Sequence, residues 1–258
     1  MSEALITSGR IRRGLAVVMS FVVLGQPAGA QGEKPPECRL RFLAVGNAPP
    51  FKQEIRDGIR YELPPEPGSI PPRRLKLSIP GKDDEEKEIG DLRVKLGRLS
   101  EALAFKLGEG GEFVLRENEG GEPWLRLPKP SKGGDFLVVL RRDPKVGSWE
   151  SAVAEFIPDQ APAGSVTLLN VCGVPVAVVF GESKLALPNG KPWRGELAAG
   201  KPVAFEYGIA DAQGGLSRLT SRSLEQGAGE RTLVILSRAD REDARHPVKM
   251  TVLREAVR

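Results

Sequence analysis

The sequence predicts an all-β protein: two tandem, duplicated β-sandwich domains behind a signal peptide. Three observations carry this. Apolar residues alternate with polar ones in short runs along most of the chain. Gly and Pro, 30 and 22 of the 258 residues, punctuate those runs and disfavour long helices. Three segments of the N-terminal half reappear, in order, in the C-terminal half.

Residues 1–30 read as a signal peptide. Arg10, Arg12 and Arg13 precede an apolar run from Gly14 to Leu24, and the small-residue triplet Ala28-Gly29-Ala30 follows. That order places cleavage before Gln31. A membrane span needs about 20 apolar residues, and this run is shorter. No later stretch is long enough either, so no span is expected after cleavage. The protein is expected to be exported, to the periplasm or the extracellular space. Residues 31–36 read as a flexible leader.

Residues 37–158 form the first expected sandwich. Leu75, Leu77 and Ile79 alternate with Lys76 and Ser78, and Leu92, Val94 and Leu96 with Arg93 and Lys95. Turn signals fall at 80–83, 109–111 and 119–121. The best helix candidate, 99–107, fits a strand almost as well. Residues 159–163, within the stretch 158–164 that carries two Pro and a Gly and no periodicity, read as a linker. Residues 164–258 form the second sandwich, with Val174, Val176, Val178 and Phe180 on one parity and with Val248, Met250 and Val252 alternating with Lys249 and Thr251. Pro188-Asn189-Gly190 marks a turn. An eight-stranded barrel is the alternative architecture for each half.

The internal matches run as follows. Residues 40–45 (LRFLAV) pair with 166–171 (VTLLNV), 103–107 (LAFKL) with 203–207 (VAFEY), and 133–143 with 229–240. The last two both run from Gly through an apolar strand into Arg and Asp. The first copy is expected to carry extra residues around 64–88.

Charge and chemistry narrow the function. The chain carries a net charge of +4, with both signs interspersed, and residues 1–30 hold three Arg and one Glu, leaving +2 after cleavage. Arg73-Arg74 and Arg141-Arg142 are local pairs only, so nucleic acid is not an expected partner. The one histidine, His246, sits in a polar run without a nucleophile-elbow motif and reads as a turn residue. One His and two separated Cys do not make a structural zinc site, and no phosphate loop is present, so no cofactor and no metal is expected. The acidic run 83–88 lacks the spacing of an EF-hand and reads as a solvated loop.

No catalytic residue is singled out. Loop tryptophans can stack on a sugar ring or a partner's side chain. Trp193, between Lys191 and Arg194, and Trp124, after Pro123, are therefore the candidate binding residues. The bland alternative is that each tryptophan covers an end of its sandwich. Export allows oxidation, so Cys38 and Cys172 are expected as an interdomain disulfide. The alternative is a buried free thiol, since Cys also packs as a small hydrophobe.

Residues 163–171 (AGSVTLLNV), followed by 175–178 (PVAV), resemble the opening hairpin of uncharacterised secreted bacterial β-sandwich families. One similar pattern occurs in the periplasmic adaptor proteins of exopolysaccharide acetylation. The resemblance covers about 25 residues, implies a sandwich fold and an accessory role, and carries over no functional residue. Together these readings expect a non-catalytic exported binding or scaffold protein of the cell envelope, acting on a protein partner or polysaccharide. The alternative is an exported carboxylate-dependent hydrolase. The sequence carries no signal for oligomeric state.

Overall fold

The structure is a computed structural model that describes residues 37–80, 86–107, 111–143, 145–210, 216–239 and 246–257. It is all-β, with no helix among the described residues. The signal-peptide and leader readings, half of the acidic run 83–88, most of the 80–83 turn and part of the 109–111 turn lie outside them.

The N-terminal half supplies β1 (Glu37–Ala44), β2 (Gln53–Arg56), β3 (Ile59–Glu62), β4 (Arg74–Pro80), β5 (Glu86–Arg93), β6 (Leu103–Lys106), β7 (Glu112–Arg116), β8 (Pro123–Pro128), β9 (Gly134–Arg142) and β10 (Ala152–Pro158). The C-terminal half supplies β11 (Ser165–Asn170), β12 (Val176–Phe180), β13 (Ser183–Leu187), β14 (Trp193–Glu196), β15 (Val203–Ala210), β16 (Leu216–Leu224), β17 (Glu230–Arg238) and β18 (Val248–Ala256).

Among the described residues, four of the five sheets have four strands. Their orders are β10-β9-β1-β6 and β5-β4-β7-β8 in the first half, and β18-β17-β11-β14 and β13-β12-β15-β16 in the second. Position for position, the two halves follow the same path. Each places its first strand parallel to its penultimate strand, β1 beside β9 and β11 beside β17. The first half has one addition, the two-stranded sheet β2-β3 between β1 and β4.

Two of the sequence matches join strands at corresponding positions: 40–45 with 166–171, and 133–143 with 229–240. The third does not. Residues 103–107 contain β6, which pairs with β1, whereas 203–207 lie in β15, in the other sheet of its half. The alternation of two short half-buried strands made them look alike. The extra residues of the first half also fall earlier than expected, between β1 and β4 rather than at 64–88. The 99–107 segment forms β6, not a helix. The resemblance to an opening hairpin likewise does not describe the chain's path. β11 and β12 lie in different sheets, so 171–175 carries the chain from one sheet to another.

Asn170 makes that crossing. It is fully buried at the end of β11. Its side chain donates to the carbonyls of Val174 and Leu187, both at 2.8 Å, and accepts from the Cys172 N–H at 2.9 Å. A buried polar side chain is tolerable because all three partners are backbone groups that the turn would otherwise leave unpaired.

Three hydrophobic clusters result. The first joins Leu40, Phe42, Leu75, Leu77, Phe113, Leu115, Val138 and Leu140, from both sheets of the first half. The second joins Val166, Leu168, Val176, Val178, Phe205, Val234 and Leu236 in the same way. The third draws on both halves: Leu43, Val45, Leu137, Val139 and Ile157 from one, Leu169, Val171 and Ile235 from the other. Alternate residues of β1, β9, β11 and β17 thus enter different clusters. Strands buried on both faces read as unbroken apolar runs. This is why FLVVL in β9 and TLVIL in β17 stand out from the alternating strands around them.

The third cluster generates a prediction. Leu169 is fully buried in it. Leu169→Ala is expected to cost about 2–5 kcal/mol of unfolding free energy in urea melts. A loss below about 1 kcal/mol would show that this cluster is loosely packed.

Candidate functional site

Two features stand apart from the packed strands: a charged cleft beside the third cluster, and the β2-β3 hairpin.

The cleft is built by strand alternation. Arg41 lies on β1 in the same row as Leu43, and Arg231 lies on β17 in the same row as Leu233 and Ile235. Glu255 on β18 is the direct cross-strand neighbour of Arg231. Asp159 follows β10, held by its N–H donating to the Asp135 carbonyl at 2.8 Å. These four residues, with Arg39, Asp135 and Ala102, line a half-open cleft of about 520 Å³. Arg41 donates through Nε to Asp159 at 2.6 Å and through Nη2 to Glu255 at 2.9 Å. Arg231 donates through Nη2 to both Asp159 and Glu255 at 3.0 Å, and through Nη1 to the Asp159 carbonyl at 2.8 Å. The segment read as a linker is therefore fastened at its first residue to both halves.

Burial acts on Asp159, Glu255 and Arg41. It pushes the Asp159 carboxyl upward, more than Arg41 and Arg231 pull it down, and the Glu255 charge adds to the rise. For Glu255 burial also pushes upward, but the hydrogen bonds and charges of Arg41 and Arg231 outweigh it, and its pKa falls. Arg41 is raised despite burial, through Glu255 and Asp159. Chemically the cluster is two carboxylates whose oxygens are already claimed by two guanidiniums. A general acid or base needs a carboxyl free to reach substrate.

The hairpin is the opposite case, with little burial and no charge knot. Asp57 and Gly58 have φ of 50° and 76°, the left-handed pair that a two-residue type I′ turn requires. Phe51, Ile55, Ile59 and Tyr61 are 66%, 65%, 57% and 47% exposed. Ile55 lies on one face of the hairpin and Ile59 and Tyr61 on the other, so both faces project apolar side chains, and exposed apolar groups gathered on one element mark interaction sites. The sequence does hold the signal for it, Asp57-Gly58 between short apolar-containing strands, but the sequence reading passed over that dipeptide.

The sequence-predicted residues lie elsewhere, and the structure does not bring them into one site. Trp193 starts β14, packs against the second cluster and meets Phe180 edge-on, ring centroids 5.7 Å apart. Its ring also covers Gly195, where a Cβ would collide with it. Lys191 and Arg194 beside it are exposed. Trp124 is in the other half. It packs on the first cluster, and its indole N–H donates to the Trp149 carbonyl at 2.7 Å. Both rings are therefore partly committed to packing. His246 is exposed, its Nδ1 3.0 Å from the Thr220 hydroxyl.

The expected disulfide is not formed. Cys38 and Cys172 are both buried free cysteines. Cys38 packs in the first hydrophobic cluster and Cys172 in the second, so each half encloses its own thiol. Burial pushes the Cys38 thiol up to about 11, with the Asp135 charge adding to it, and the Cys172 thiol up to about 12 against Arg141 and Arg238. Such thiols stay protonated and unreactive. No family model matches this chain, and no curated protein matches its sequence.

These groups carry two predictions. Denatured, unreduced protein should titrate two thiols per chain, and native protein close to none over the same minutes; fewer than two after denaturation would mean a bond forms. The second concerns acid stability. Glu255 has a lowered folded pKa, so the stability it supplies is present above its ordinary 4.5 and is lost as pH falls through the folded value. Asp159 has a raised folded pKa, so its contribution falls as pH rises from 3.8 through the folded value. Glu255→Gln should therefore flatten the acid limb of the stability–pH curve and Asp159→Asn should steepen it. Loss of its charged hydrogen bonds should cost Glu255→Gln about 1–3 kcal/mol near neutrality, and Asp159→Asn, which removes a charge that burial disfavours, should cost less. Slopes that move together would contradict the assignment.

Proposed function

We propose that this chain is a non-catalytic exported binding or scaffold protein of the cell envelope. In this reading two duplicated β-sandwiches, 37–158 and 164–258, follow a cleaved signal peptide, 1–30. The shared strand order of the two halves supports the duplication, and two sheets contributing to each half's core support the sandwich. The observation that carries the functional reading is the β2-β3 hairpin. It presents Phe51, Ile55, Ile59 and Tyr61 to solvent and, among the described residues, extends no other sheet. Exposed apolar side chains favour a protein partner over a polysaccharide. Trp193, Lys191, Arg194 and Trp124 remain the candidates for any saccharide contact.

A carboxylate-dependent hydrolase is the second reading. Its observation is Asp159 and Glu255 gathered in one cleft. Arg41 and Arg231, which occupy both carboxylates, weigh against it.

The test is co-purification from the native envelope of the exported full chain and of a variant with Phe51, Ile55, Ile59 and Tyr61 all changed to Ser. The hairpin is exposed, so the variant should keep the wild-type melting temperature within a few degrees. It should lose the envelope proteins that the wild type retains. An unchanged set of partners would overturn the reading.

A further inference from the structure

An isolated two-stranded hairpin is marginally stable at best in water, and three or more strands are needed for independent stability. Among the described residues β2 and β3 pair only with each other, and none of their residues is buried. Each therefore offers one unpaired edge, a ready template for another strand.

The register says which groups face that edge. Arg56 pairs with Ile59 across the two-residue turn, and Glu54 pairs with Tyr61. In a two-residue hairpin the residues flanking the turn exchange hydrogen bonds, and pairs then alternate. The pairs 56/59, 54/61 and 52/63 thus bond inward, in agreement with the Leu63 N–H donating to the Lys52 carbonyl at 3.0 Å. The backbone groups of Gln53 and Ile55 point the other way, to the free edge of β2.

That edge is complementary to itself. Read in either direction from Ile55, Glu54 on one side answers Arg56 on the other. We propose that the β2 edge pairs antiparallel with the β2 edge of a second copy of this chain, about a two-fold axis through Ile55. Ile55 then exchanges both hydrogen bonds with Ile55 of the second copy, and the two side chains touch on one face. Glu54 faces Arg56 of the second copy, and Arg56 faces its Glu54, as closely spaced non-hydrogen-bonded pairs on the other face. Gln53 faces Asp57. Two marginal hairpins become one four-stranded sheet.

The β3 edge has one competing register. An axis at Arg60 or at Glu62, the two residues that face outward there, sets like charges against each other, but an axis at Tyr61 sets Arg60 opposite Glu62. The β2 register is favoured because the residue at its axis, Ile55, is 65% exposed against 47% for Tyr61 and has its backbone groups on the free edge, and Arg60→Glu separates the two. Within one chain Arg56 bonds Glu54 at 2.7 Å on the exposed surface, where an ion pair contributes little.

This inference rests on the hairpin being an interaction element and names one occupant of its edge. The apolar faces of the doubled sheet stay open for an envelope partner. A four-residue edge is short, so the dimer should dissociate on dilution and weaken with salt.

The experiment is analytical ultracentrifugation of the exported full chain over a wide concentration range. The wild type should sediment as a concentration-dependent dimer. Glu54→Arg and Arg56→Glu each place like charges opposite one another twice per dimer, and each should raise the dissociation constant at least about tenfold. The double variant Glu54→Arg/Arg56→Glu should recover the wild-type value. An equimolar mixture of the two single variants should form a heterodimer, because one then presents two arginines where the other presents two glutamates. Arg60→Glu, on β3, should leave the dimer unchanged. A monomeric wild type at every concentration, a dimer indifferent to both single changes, a mixture that stays monomeric, or a dimer lost with Arg60→Glu alone would each overturn the proposal. Loss of the dimer with envelope partners retained would leave the functional reading standing. A dimer whose four-serine face variant keeps every partner would do the reverse.

Discussion

Four strands, β1, β9, β11 and β17, are buried on both faces, and the rest of the molecule is arranged around that constraint. Each parallel pair can hide two rows of apolar side chains only if something covers both sides. In each half one side is covered by the second four-stranded sheet, through Leu40 and Phe42 or Leu168 and Val234. The other side is covered by the opposite half, through Leu43, Leu137, Leu169 and Ile235. The halves therefore hold their own cores and a common one. At about 25 cal/mol per Å² of apolar surface removed from water, a row of leucines and isoleucines supplies a large driving force for that association.

The ionic cluster makes sense at the margin of this common core. Arg41, Arg231 and Glu255 occupy positions that alternation turns toward the other half, as it does for the leucines further along each strand. Charges there need partners once water is displaced. Asp159 provides one from the connecting segment and fixes where the chain leaves β10. Whether such a cluster adds net stability depends on its desolvation cost. A slip in register would leave four charges unpaired, which disfavours misaligned pairings.

The β2-β3 hairpin lies outside this arrangement. Among the described residues it has no equivalent in the second half, does not extend another sheet and enters none of the three clusters. Nothing in the packing of the described residues requires its apolar side chains. A feature that costs solubility and adds nothing to the core is where an interaction is to be sought. The free thiols mark the contrary extreme: Cys38 and Cys172 sit where packing alone accounts for them.

Much of the fold was legible because β structure writes itself locally. Alternation in 75–79, 176–180 and 248–252, with Gly and Pro between runs, requires only that each strand have one wet face and one dry one. The order of matches at 40–45 and 133–143 was readable for a related reason, since both-face burial leaves a continuous apolar run. The match at 103–107 misled because half-buried strands of different sheets share one pattern. Alternation fixes which residues share a face, but not which neighbour that face meets. Only the tertiary structure decided that β11 and β12 belong to different sheets, that each cysteine has its own core, and that Arg41, Asp159, Arg231 and Glu255 converge. Those are contacts between residues up to 214 positions apart. They are set by the packing of sheets on sheets, a collective outcome that no local window of sequence contains.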